Sequence, residues 1–149
     1  MSTQLPRDAA EVVRLARRWI GTPYRHQASL IGVGADCLGL VRGVWRDLYG
    51  IDAERPPAYS RDWAEASGRE TMLEAATRHL LPIDIQDLRS GDVLIFRLRA
   101  GAAAKHAAIL ATPSTMVHAM EGGAAAEVAL SPWWRRRIAN VYAFPGIIR

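Results

Sequence analysis

Residues Leu88–Met120, LRSGDVLIFRLRAGAAAKHAAILATPSTMVHAM, change the period of the chain and decide its fold class. Leu88–Asp92 is turn chemistry, with Ser90, Gly91 and Asp92 adjacent, and Val93–Leu98 is an apolar run of strand length. Gly101–Ala104 reads as a flexible tip. His106–Ala111 is then a returning strand and, after Pro113-Ser114, Thr115–Met120 a third. Glu121-Gly122-Gly123 turns the chain again, Val128–Leu130 reads as a fourth strand and Ala139–Phe144 as the last. About five strands joined by short turns make an antiparallel meander.

Upstream the period is helical. Asp8 followed by Glu11 is a capping-box pattern, and Val12, Val13, Ala16, Trp19 and Ile20 recur at helical spacing until Gly21 and Pro23. Thr22–Ala35 reads as a loop. Asp36 caps a second helix from Cys37 to about Tyr49, with Gly50 at its exit and Leu38, Val41, Trp45 and Leu48 as its apolar stripe. Gly39 and Gly43 inside that helix each cost about 1 kcal/mol relative to alanine, which predicts that another backbone packs closely there. In residues 51–87, Arg55-Pro56-Pro57 breaks regular structure, Trp63–Leu81 reads as one or two helices and Pro82 ends them. That segment is a candidate lid or side wall for a cleft. Helices followed by an antiparallel sheet define an α+β fold.

At 149 residues the chain suits one domain, 1–149, and half of it is apolar with 23% charged. No run approaches the roughly 20 apolar residues of a membrane span. The N-terminus lacks the basic start, apolar stretch and cleavage site of a signal peptide, so synthesis in the cytoplasm without secretory export is the expectation. The net charge of +4 suits an anionic partner. No motif for direct nucleic-acid recognition is present, and Arg135–Arg137 is the one dense basic cluster. Trp133-Trp134 before it reads as edge-strand packing or, alternatively, as a docking surface.

A single cysteine excludes an internal disulfide and a zinc knuckle. A lone cysteine is ordinarily a small buried hydrophobe. Cys37, however, opens a helix, where unpaired N–H groups and the helix dipole favour the thiolate. Asp36 opposes that, which leaves the outcome to a histidine partner. His106 opens a strand beside a flexible tip, where its neutral ring can take the thiol proton. His118 lies on the neighbouring strand and can hold that ring in the required tautomer, as a third group does in other triads. Glu121 and Asp92 are alternative orienting groups, although Asp92 fits a turn better. His26 and His79 read as ordinary loop and helix residues. A metal site of His106, His118 and Glu121 would leave Cys37 at the helix start unexplained.

Five blocks in order, GTPYRH (21–26), ADCLGLVRGVW (35–45), LRSGDVLIF (88–96), KHAAIL (105–110) and MVHAME (116–121), resemble the NlpC-type cell-wall cysteine peptidases. The resemblance implies a papain-like α+β fold in which the cysteine helix packs on the sheet that bears the histidine. It implies Cys37 as nucleophile, His106 as general base and then acid, and His118 as the third polar residue. Tyr24 matches a tyrosine near the reacting carbonyl, and Asp36 a residue that binds the substrate's free amine. The implied substrate is the stem peptide of peptidoglycan, cut between γ-D-glutamate and the diamino acid, with no metal or organic cofactor. The sequence departs from the family pattern at Leu38, Ser90 and Ala107-Ala108, none of which removes a reacting atom.

The chain further resembles the bare members of the family encoded among tail genes of phages and gene transfer agents, and residues Pro56–Trp63 share in that likeness. This implies tail-tip or baseplate hub proteins as partners, incorporation in a virion-like tail, and action in the cell wall during DNA delivery. Two alternatives stand beside it. One is a structural tail-tip component that keeps the fold without turnover; the other is an amidase or acyltransferase using the same Cys–His chemistry.

Overall fold

A computed structural model of the chain describes residues 7–54 and 70–149. Helix α1 (Ala9–Arg17) starts as its sequence requires: the Asp8 carboxylate accepts from the Glu11 N–H at 3.0 Å. It stops at Arg17, earlier than the apolar spacing indicates. Turns then carry the chain to Gly21, so Trp19 is buried while Ile20 is 46% exposed. The loop that follows contains a small hairpin of β1 (Ser29–Leu30) and β2 (Gly34–Ala35).

Helix α2 (Cys37–Tyr49) has the expected ends, with Asp36 as N-cap and Gly50 in the left-handed region at φ 83°. Its buried face is Leu40, Val41, Val44 and Leu48, and Leu38 and Trp45 lie half-buried at the border of that stripe. The two helix glycines serve different neighbours. A Cβ on Gly39 would lie 1.9 Å from the Ala28 carbonyl oxygen, a backbone approach as expected. One on Gly43 would meet the Trp19 ring at the same distance, a side chain rather than a backbone.

Helix α3 (Thr71–His79) leads into β3 (Leu81–Ile83), followed by β4 (Val93–Phe96), β5 (His106–Thr112), β6 (Thr115–His118), β7 (Ala126–Ala129) and β8 (Ile138–Ala143). Their order in the sheet is β3-β8-β4-β5-β6-β7, antiparallel throughout. The sheet thus has six strands where the sequence indicates about five. The extra one contains Pro82, paired with Tyr142 at the sheet edge, the place where a residue without an N–H is tolerated. Of the 51–87 segment, the part around Pro56–Trp63 lies outside the described residues.

Strand alternation divides the core. Val93, Ile95, Ala107, Ile109 and Val117 face α1 and α2. Leu94, Phe96, Ala108, Leu110, Met116 and Val141 face the other way, under a connection that includes Leu130 and Trp134. Each fully buried large apolar side chain contributes roughly 1.5–3 kcal/mol, so both faces hold the sheet in place. Asp92 has the turn role expected of it: buried, it accepts from the Arg89 N–H at 2.8 Å and pairs with Arg149 at 2.9 Å.

Candidate active site

The polar side chains of the cleft at one end of the sheet come from four stretches of the chain, with Met72 of α3 and Leu98 adding apolar wall. Tyr24 and His26 come from the first loop, Asp36 and Cys37 from the start of α2, Lys105 and His106 from the start of β5, and Glu121 from just beyond β6. All of them line one cavity of about 210 Å³. Three backbone bonds bring the first loop here: Tyr24 N–H to the Gly123 carbonyl at 3.2 Å, Arg25 N–H to Ala35 at 3.2 Å, and Ala35 N–H to Pro23 at 3.0 Å.

Asp36 is buried, and both of its carboxylate oxygens are engaged. Oδ1 accepts from the Gly39 N–H at 2.7 Å and Oδ2 from the Gln27 N–H at 2.8 Å. The residue therefore clamps the loop to the helix start. Cys37, the first helical residue, donates its thiol to the Lys105 carbonyl at 3.8 Å, so the sulfur rests against the strand that bears His106.

The helix start does not make the resting sulfur a thiolate. Burial pushes the Cys37 thiol up to about 12, and the Asp36 carboxylate adds to that. The N–H groups of Ala107, Leu38 and Cys37 itself pull the other way and are outweighed. Cys37 keeps a partial opening to the cleft, but the protein encloses the sulfur closely enough for desolvation to dominate. Burial, with His118 second, brings His106 down to about 3. Both shifts favour the uncharged forms, a thiol on Cys37 and a neutral imidazole on His106.

His106 and His118 are joined, Nε2 of the first to Nδ1 of the second at 2.9 Å. Both are buried, and burial lowers the His118 pKa as well. The β5–β6 pairing sets their meeting: Ile109 lies opposite Val117, so the register carries His118 to Ala108, two residues along β5 from His106 and on the same sheet face. Of the residues singled out from sequence, Cys37, His106, Tyr24 and Asp36 share the cleft, and His118 stands behind His106. Glu121, exposed, lines the same cleft, and the group hydrogen-bonded to His106 is His118. His26, read as an ordinary loop residue, also lines the cleft, and so does Lys105, which carried no signal beyond its place before His106.

The NlpC/P60 family model matches residues 21–143, from the first cleft loop to the end of β8. No protein of curated function matches the sequence. Among solved structures, the chain is similar to the NlpC/p60 domain of the peptidoglycan hydrolase SagA, with a TM-score of 0.67 at 19% identity, over 92% of this chain and 99% of that one. It is similar to an NlpC/P60 family protein from Bacillus cereus, with a TM-score of 0.71 at 18% identity, over 94% of this chain and 41% of that one. NlpC1 from Trichomonas vaginalis gives a TM-score of 0.67 at 17% identity, over 96% and 46%. The chain thus spans less than half the length of the latter two. At these identities the likeness shows a shared fold.

Proposed function

The chain belongs to the NlpC/P60 family, and from that premise we propose that it is a cysteine peptidase that hydrolyses peptidoglycan stem peptides. The observation that carries this reading is the convergence of Cys37, at the start of α2, and His106, at the start of β5, on one cleft. His118 is hydrogen-bonded behind the imidazole. Family membership supports cell-wall peptidase activity as the class of reaction.

In the first step Nδ1 of His106 takes the Cys37 proton while Sγ attacks the peptide carbonyl. Because burial favours the uncharged forms of both groups, this transfer accompanies the attack, and the imidazolium and the growing oxyanion then compensate each other. Tyr24 and the N–H groups at the start of α2 border the place where that oxyanion forms. His106 next gives its proton to the leaving amine, the C–N bond breaks and a thioester to Cys37 remains. Water attacks the thioester with His106 again as base, and the thiol is restored as the acid product leaves. Sulfur and imidazole each have another partner in the resting arrangement, and such contacts commonly tighten only when substrate is bound.

The bond assigned is the one between γ-D-glutamate and the diamino acid. Asp36 supports catalysis by shaping the cleft floor, since both its oxygens already bind the backbone. Carriage in a phage-like tail, docking on hub proteins and action in the cell wall complete the reading, and their support is the sequence resemblance. Digestion of purified peptidoglycan followed by mass spectrometry of the fragments tests the assignment. Stem peptides cut after γ-D-glutamate support it; fragments cut at another bond assign a different acyl group, as an amidase would.

A further inference from the structure

Between β7 and β8 the chain makes a single helical turn, Pro132–Arg135, capped by Ser131. The turn lays Trp134 on the sheet face opposite the helices. Its indole stacks on His106 with 5.4 Å between ring centroids and 28° between planes. The same indole meets His118 edge to face, also at 5.4 Å, with the planes at 90°. Phe96, directly opposite His106 in the strand register, adds a third ring, 5.8 Å from His106 and 4.9 Å from Trp134.

The turn is anchored on both sides. Arg135 donates to the Pro113 carbonyl at 3.0 Å, and the Arg97 N–H donates to the Arg137 carbonyl at 2.8 Å. Arg137 lies 3.7 Å over the ring of Trp133, which faces outward at 43% exposure. The two adjacent indoles meet edge to face at 4.9 Å, but Trp133 lies under a surface arginine while Trp134 is the one that stacks on the histidine pair.

We propose that Trp134 is a positioning residue that acts through His106: it fixes the plane of the imidazole, keeps water off the bond to His118, and supports the ring when it becomes positively charged. This rests on the reading of His106 as the base. A hydrogen bond between two neutral rings is weak wherever water competes for it, and persists where an apolar wall excludes water. A ring with one flat neighbour and one fixed partner has little freedom to turn or to exchange tautomers. An indole face also attracts a cation, so its contribution grows as the proton arrives on His106 and stays small before that, which is the differential effect catalysis needs.

The test uses Trp134→Leu and Trp134→Phe, with Trp133→Leu as the control on the same turn. ¹⁵N spectra of the imidazoles read the tautomers of His106 and His118 and the exchange of the shared proton with water. Steady-state kinetics on stem peptides give kcat and KM separately. Trp134→Leu is expected to show mixed tautomers, faster exchange and a kcat lowered about 10- to 100-fold, with KM nearly unchanged. Trp134→Phe is expected to regain most of the wild-type pattern with exchange between the two, and Trp133→Leu, which touches only the edge of Trp134, to keep the wild-type tautomers with exchange slower than in Trp134→Leu.

An unchanged tautomer and slow exchange in Trp134→Leu overturn the proposal, as does an equal change in Trp133→Leu. If the leucine variant does not fold, the phenylalanine variant decides: faster exchange than wild type supports the proposal and unchanged exchange overturns it. The spectra need no turnover. A wild type that cleaves no stem peptide would therefore contradict the proposed function while the role of Trp134 was still decided.

Discussion

Nε2 of His106 lies 2.9 Å from Nδ1 of His118, and in the proposed mechanism the other ring nitrogen of His106, Nδ1, accepts the Cys37 proton. For that nitrogen to be bare, Nε2 must carry the hydrogen and donate it, so His118 accepts through Nδ1 and carries its own hydrogen on Nε2. The proposed mechanism thus requires one particular tautomer of each ring across this contact. His118→Ala frees His106 to adopt the other tautomer, in which Nδ1 is already protonated, and kcat should fall about 10²-fold or more. His118→Asn places a carbonyl oxygen close to where Nδ1 stood and should recover much of the loss. Steady-state kinetics of the two variants, each checked for folding by circular dichroism, measure the difference.

Asp36 caps the helix and adds to the burial that raises the Cys37 pKa. Asp36→Asn removes the charge that raises the Cys37 pKa and can keep only one of the two carboxylate bonds to Gln27 and Gly39. The thiol pKa is expected to drop from its present value of about 12. The pH dependence of Cys37 alkylation by iodoacetamide, followed by intact mass, should therefore shift to lower pH. The helix start is expected to lose about 1 kcal/mol. An unshifted alkylation profile would mean that burial alone sets the thiol.

Stability should fall on both sides of neutrality, for opposite reasons. His106 in the folded chain binds its proton near pH 3, against an ordinary value of 6.5. Below pH 6.5 the unfolded chain thus takes up the proton first, and stability is lost as pH falls from 6.5 toward 3. Cys37 resists ionising until about 12, against an ordinary 9.0, so stability is lost as pH rises through that window. Each group gives a slope of up to about 1.4 kcal/mol per pH unit inside its window. Urea titrations across pH should show a shallower acid limb in His106→Gln and a shallower alkaline limb in Cys37→Ala.

Gly39 is a point of close backbone approach between the first loop and α2. Gly39→Ala sets a methyl group 1.9 Å from the Ala28 carbonyl oxygen, so loop or helix must move, at about 1–3 kcal/mol. The motion falls beside Cys37, so activity should drop by more than the fraction unfolded explains. Gly43→Ala strikes the Trp19 ring instead, away from the cleft. It should destabilise without that excess loss of activity. Denaturant unfolding alongside specific activity separates the two.

Much of this site was legible because its parts are local signals. Asp36 before an apolar stripe marks a helix start, and two strands joined at Pro113-Ser114 bring His106 beside His118. What escaped depends on contacts between distant segments. The edge strand at Leu81–Ile83 holds a proline, which reads as a breaker until β8 is seen to pair with it. His26 and Lys105 reach the cleft only through the folded loop and strand. Trp134 lies 28 residues beyond His106, on a turn with no periodicity to show which way its indole points. The charge state of Cys37 was open for the same kind of reason, since burial of a sulfur is a property of the packed chain.

The most direct test is the digestion of purified peptidoglycan by the wild-type chain and by Cys37→Ala, with fragments identified by mass spectrometry. The wild type is expected to release stem peptides cut after γ-D-glutamate. Cys37→Ala, folded as judged by its circular dichroism, is expected to lose at least about 10³-fold in turnover. Release of the same fragments by Cys37→Ala at a comparable rate would contradict the assignment of Cys37 as the nucleophile.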